Sequence, residues 1–132
     1  MKITRNASVP SMTGKVPDNF TGLVRVDTMA TPNAPGRASA ALVTFAPGAR
    51  TVWHTHPAGQ TIIVTTGKGW VQRAGGPREE VGPGDTVFFD AGERHWHGAT
   101  ATTGMSHIAI TETVGDTSVD WLDPVSDADY AG

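Results

Sequence analysis

The sequence predicts an all-β fold in a single domain, and three observations carry that prediction. Apolar and β-branched residues recur in short runs separated by Gly, Pro and Asp, the pattern of antiparallel sandwiches and barrels. The 16 glycines and 9 prolines imply many turns, which suit short strands. Only the tail carries a helix signal. A length of 132 residues suits one domain of ordinary size, and neither a repeat nor a linker divides it, so residues 1–132 are read as one unit.

Taken along the chain, strands are expected at 23–26, 39–45, 52–56, 60–66, 69–73, 79–81, 86–89, 96–99 and 105–113. The run at 60–66, Gln-Thr-Ile-Ile-Val-Thr-Thr, shows why: β-branched side chains favour an extended backbone. Thr66-Gly67-Lys68-Gly69 and Ala74-Gly75-Gly76-Pro77 read as hairpin connections, because glycine reaches the positive φ of tight turns. Pro83-Gly84-Asp85 marks a further turn. Residues 27–37, with Pro32, Asn33, Pro35 and Gly36, read as a loop. At the far end Ser126 can cap a short helical turn, with Asp127 and Asp129 near its positive pole.

Composition removes several function classes. Hydrophobic residues are 38% and charged residues 17%, which is globular rather than disordered. The net charge of -3 is spread without a basic run, so neither nucleic acid nor an anionic membrane surface is an expected partner. The absence of cysteine excludes disulfides, thiolate catalysis and iron–sulfur clusters. Residues 1–8 lack the apolar stretch of a signal peptide, and no segment is long enough to span a bilayer, so a cytoplasmic location is expected.

Four side chains form a metal-ligand pattern. Alternate residues of a strand share a face, so His54 and His56 point the same way and can reach one ion. Gln60 opens the next strand after the Pro57-Ala58-Gly59 turn, and His95 joins from elsewhere in the barrel. An alternative for Gln60 is a place behind the ligands, orienting an imidazole. His97 shares the parity of His95 and reads either as an additional active-site group or as a hydrogen-bonded structural histidine; it is placed in the pocket, outside the metal shell. Trp53, Trp70, Trp96 and Trp121 read as packing anchors.

Gly48, His54, His56, Gln60 and Gly67, followed by Gly84, Gly92 and His95, match two spaced motifs in order. The chain resembles the cupins, whose motifs are G-x5-H-x-H-x3-E-x6-G and G-x5-P-x-G-x2-H-x3-N. Three positions depart from them: Gln60 replaces glutamate, Asp90 replaces proline and Ala99 replaces asparagine. The resemblance spans roughly residues 38–113 and implies a jelly-roll β-barrel with a metal in its mouth. Residues 47–57, Gly59-Gln60-Thr61, Gly84-Asp85, residues 92–99, residues 107–110 and Val119-Asp120-Trp121 are similar to the bacterial manganese-dependent cupin hydroxynitrile lyases. That narrower resemblance implies Mn2+ on His54, His56, Gln60 and His95. It also implies cleavage, and in reverse formation, of cyanohydrins such as mandelonitrile, with an aldehyde or ketone and hydrogen cyanide as products. The donor set also suits Fe2+, Ni2+, Co2+ or Zn2+.

The residues argue the chemistry independently. Three neutral imidazoles and a neutral amide leave a divalent ion its full formal charge of about +2, whereas glutamate would lower it to about +1, so Gln60 favours Lewis-acid work. His107 is the candidate proton-transfer group, since imidazole is tuned near neutral pH and its strand should face the interior. Ala109 and Thr111 share its parity, and Ala41 and Val43 are expected on the opposite wall, leaving room for a small organic substrate. The alternatives are a metal-dependent oxidoreductase or dioxygenase and a non-catalytic metal or small-molecule binding protein. Residues 1–37, within them 3–26, are expected to cover a barrel edge across a two-fold axis in a homodimer or homotetramer.

Overall fold

The computed structural model describes residues 1–13 and 19–132. Along the chain it forms β1 (Met12–Thr13), β2 (Phe20–Thr21), β3 (Val24–Ala30), β4 (Ala38–Phe45), β5 (Arg50–Thr51), β6 (His54–Thr55) and β7 (Gln60–Gly67). There follow β8 (Gly69–Arg73), β9 (Glu79–Val81), β10 (Thr86–Phe89), β11 (His95–Ala99), β12 (Met105–Glu112), β13 (Asp120–Trp121) and the helix α1 (Asp127–Ala131). No helix among the described residues is long and apolar enough to cross a membrane.

Two antiparallel sheets curl toward each other, as the all-β cupin expectation requires. One has the order β1-β3-β4-β12-β7-β10; the other runs β13-β6-β11-β5-β2, with β8 joining β11 to β9. Alternation places the core between them. Ile62 and Val64 of β7 are buried while their neighbours Thr61 and Ile63 are only partly so, and they pack with Val43, Phe45, Val71, Val81, Phe89 and Met105. Each such side chain contributes about 1.5–3 kcal/mol by leaving water.

A second, smaller cluster of Trp53, Trp96 and Val125, with Trp70 and Tyr130 against it, docks the tail on the outside. Ser126 caps α1 as expected, its hydroxyl accepting the Asp129 N–H at 3.0 Å.

Four expectations are corrected. Residues 27–30 continue β3, because β4 supplies them a ladder, with Asp27 paired to Leu42 and Thr28 to Ala41. Of the strand expected at 52–56 only β6 (His54–Thr55) forms, separated from β5 (Arg50–Thr51), because the Val52 N–H turns to the Asn19 carbonyl and the Trp53 N–H to that of Asp123. The Gly67 turn is no hairpin: β7 belongs to one sheet and β8 to the other, so the turn passes the chain between layers. Gly67 sits at φ 74°, and a Cβ there would lie 1.9 Å from the Gly104 carbonyl oxygen, which is why the crossing needs glycine. Finally, β4 pairs with β12 in register, His107 beside Val43 and Ala109 beside Ala41. Ala41 and Val43 therefore share a wall with His107 instead of facing it.

Candidate metal centre and cavity

Five histidines converge between the sheets. The second sheet presents His54 from β6 and His95 and His97 from β11, paired so that His95 lies opposite His54. His56 follows β6, Gln60 starts β7 on the other sheet, and His107 comes from β12. All six side chains are buried.

Burial disfavours the charged imidazolium, so each of these histidines is pushed below its ordinary value. His54 falls to about 4, His107 to about 3 and His95 to about 2, burial being the largest cause in each. His97 lies well below and His56 is lowered too, although the Ser118 carbonyl opposes the shift at His56. The expectation that His107 titrates near neutrality is thereby corrected: at pH 7 it is a neutral group with one lone pair.

Hydrogen bonds fix which nitrogen of each ring is free. The His54 Nδ1–H donates to the Val52 carbonyl at 2.9 Å, that of His95 to Glu93 at 2.8 Å, and that of His56 to Ser118 at 2.6 Å. Each therefore turns a bare Nε2 inward, the arrangement by which carbonyls orient metal-binding imidazoles. Phe89 stacks on the His95 ring at 3.7 Å and holds its plane.

Two observations fit a cation here. The His56 Nε2 is buried with no hydrogen-bond partner. The His95 Nε2 lies 3.0 Å from the Gln60 Oε1, two lone-pair atoms in contact with no proton to place between them, which a shared ion satisfies. The opposite amide orientation would set NH2 donors against the same nitrogens, so a metal titration separates the two. Nitrogens of His54, His95 and His97 also lie within 4.8 Å of one another, a triad able to hold a metal ion.

His97 is engaged on both sides. Its Nε2 lies 3.2 Å from the Gln60 Oε1, and its Nδ1 lies 3.0 Å from the His107 Nε2. An amide oxygen only accepts, so the His97 Nε2–H donates to it; the His97 Nδ1 then accepts from the His107 Nε2–H. That leaves the His107 Nδ1 as a lone pair, and it is buried without a partner.

A cavity of about 420 Å³ reaches this cluster, within the range of small-molecule sites. Ala41, Val43, His97, Ala109 and Thr111 line it, together with His54, His56, Gln60 and His107. His95 lies behind, outside the lining. Sequence reasoning missed several contributors, among them Phe20, Thr51, Ser118 and Trp121, which also line the cavity. Trp121, expected as a packing anchor, covers the His54 ring at 5.0 Å. The Thr51 Oγ1 accepts the His97 backbone N–H at 3.2 Å. Thr51 and Trp121 share the second sheet with His54, but that neighbourhood is tertiary and no local pattern announces it.

The Cupin domain family matches residues 41–111. Over 131 residues the chain is 53% identical to an (R)-mandelonitrile lyase of Granulicella tundricola, covering 98% of both chains. The crystal structure of a cupin-like protein from Thermotoga maritima is 39% identical, with a TM-score of 0.82 over 89% of each chain. A polyketide cyclase from Streptomyces resistomycificus, 20% identical over 98% of this chain and 90% of its own, shares the fold at a TM-score of 0.74. Two curled antiparallel sheets, a buried histidine cluster between them and these matches together make this chain a member of the cupin family.

Proposed function

We propose that the protein is a metal-dependent lyase that splits cyanohydrins such as mandelonitrile into an aldehyde or ketone and hydrogen cyanide, and joins them in reverse. The observation that carries the reading is the inward set of bare nitrogens beside an uncharged amide, His54, His56 and His95 with Gln60. The reading takes these over the triad of His54, His95 and His97, and what supports that choice is that both His97 nitrogens already have partners. The similarity to an (R)-mandelonitrile lyase supports the substrate class.

A divalent ion on those four atoms, Mn2+ in this reading, supplies a Lewis acid that makes a nearby hydroxyl more acidic. The chain does the rest. Gln60 brings no negative charge to oppose that acidity. His107 accepts the hydroxyl proton at Nδ1, the one nitrogen of the His97–His107 pair without a donor, and returns it to the departing cyanide as the carbon–carbon bond breaks. Val43, Ala41 and Ala109, small or apolar, take the organic part of the substrate. In this reading two or four chains associate through residues 1–37, which light scattering of the intact and the 1–13-deleted chain tests by a change in mass.

The test is mandelonitrile cleavage under argon. The expected result is benzaldehyde and cyanide release that stops on chelation and returns with Mn(II). No metal-dependent release above the spontaneous rate, across several cyanohydrins, would remove the reading, and oxygen uptake on an aromatic diol would favour the oxidoreductase alternative.

A further inference from the structure

His54 and His95 each donate Nδ1–H to a carbonyl two residues earlier, so their own strands orient them. His56 is different. Its acceptor is Ser118, sixty-two residues further along the chain. Ser118 lies on a strap between β12 and α1 that crosses the cavity, and the same strap lays Trp121 over His54. The strap meets the second sheet through β13, which pairs with β6, and through the Leu122 N–H to the Trp53 carbonyl at 2.8 Å.

Beyond the strap, the tail is tied down by a buried cation beside the Trp53, Trp96 and Val125 cluster. Arg50 is 6% exposed and is not among the residues that line the cavity. Its Nη2 donates to the Val125 carbonyl at 3.0 Å and to Asp127 at 2.9 Å, its Nη1 donates to the Gly48 carbonyl at 3.4 Å, and its guanidinium lies 4.4 Å from the Tyr130 ring centre. Tyr130 in turn donates its hydroxyl to the Ala99 carbonyl at 2.8 Å. Thr51, the chain neighbour of Arg50, lines the cavity. One two-residue strand thus lines the cavity with one side chain and ties down the tail with the other.

We propose that Arg50 is a positioning residue for the metal centre: by latching the tail, it holds the Ser118 carbonyl against His56 and Trp121 against His54. This rests on the ligand reading above. Freed from Ser118, His56 can rotate or change tautomer, and its Nε2 is no longer committed to the ion; carbonyl partners of this kind change metal affinity about 10–100-fold. Linkage makes the effect reciprocal, so a bound ion must tighten the strap by the same factor.

The experiment is a Mn(II) titration of metal-stripped wild type, Arg50→Met and Arg50→Lys, at a temperature where all keep the same far-UV circular dichroism, with amide exchange followed over residues 118–122. We expect Arg50→Met to weaken Mn(II) binding about 10–100-fold and Arg50→Lys to recover part of it. Mn(II) should slow exchange at the Leu122 amide in wild type and barely do so in Arg50→Met. A merely structural Arg50 would lower thermal stability but leave Mn(II) affinity within twofold of wild type and the protection gain intact, which overturns the inference. Where the Arg50 variants do not fold, Asp127→Ala removes the exposed side-chain partner of the same guanidinium and is judged by the same two criteria. If wild type itself takes up no Mn(II), the ligand reading fails first and takes the inference with it; a wild type that binds beside unaffected variants refutes the inference alone.

Discussion

The five buried histidines divide into two groups that differ only in what their nitrogens touch. His54, His56 and His95 each spend their Nδ1 proton on a backbone carbonyl and turn a bare Nε2 inward. His97 and His107 spend theirs in a chain that runs from the Gln60 oxygen and ends at a bare, buried Nδ1. Residue type, burial and the direction of the pKa shift are the same in both groups. The difference teaches that the hydrogen-bond partner assigns the role: one group turns its bare nitrogens toward a shared point that suits an ion, the other relays hydrogen bonds from Gln60 to one bare nitrogen.

The largest effect should come from breaking the first group. His54→Ala removes an inward nitrogen, and we expect loss of bound metal by elemental analysis together with cyanohydrin cleavage at the spontaneous rate. Breaking the second group should separate the two properties. His107→Ala should keep the metal and lose about 10²–10⁴-fold in turnover, the usual worth of a positioned acid–base group; surviving turnover would place proton transfer elsewhere.

A smaller effect should come from the residue that joins the groups. Gln60→Glu adds a negative charge, so Mn(II) should bind more tightly while a hydroxyl at the ion becomes less acidic. If that acidity falls by about one pKa unit, turnover falls about tenfold; tighter binding with unchanged turnover would undercut the charge argument.

The mildest probe is pH on the metal-free protein. The folded values of His54, His107 and His95 lie near 4, 3 and 2, against an ordinary 6.5. Above about pH 7 these rings are neutral folded or unfolded and contribute no slope. As pH falls below 6.5 the unfolded chain binds protons that the folded one refuses, so stability should drop toward pH 4, by at most about 1.4 kcal/mol per pH unit per histidine. Thermal midpoints between pH 8 and 5 read this directly, and a midpoint unchanged across that range would contradict the burial argument.

Much of the site is legible along the chain because strand parity is local. His54 and His56 share a face, as do His107, Ala109 and Thr111, and these five side chains line one cavity. What parity cannot supply is which strands adjoin. Ala41 and Val43 were expected opposite His107 and lie beside it, because the β4–β12 register is a long-range pairing. Ser118 has no sequence signature, because its part is played by a backbone carbonyl, and Trp121 reads as a packing anchor because an isolated tryptophan in a Pro- and Asp-rich tail resembles any packing residue. The pKa of His107 was misjudged because the burial that lowers it is a property of the assembled core.

The division of labour is tested most directly by one titration: Mn(II) binding, by calorimetry, to metal-stripped His56→Ala and His107→Ala side by side with wild type. The account predicts near wild-type affinity at one ion per chain for His107→Ala and an affinity weakened at least tenfold, or lost, for His56→Ala. Equal weakening in both, or a His56→Ala variant that binds as wild type does, would contradict it.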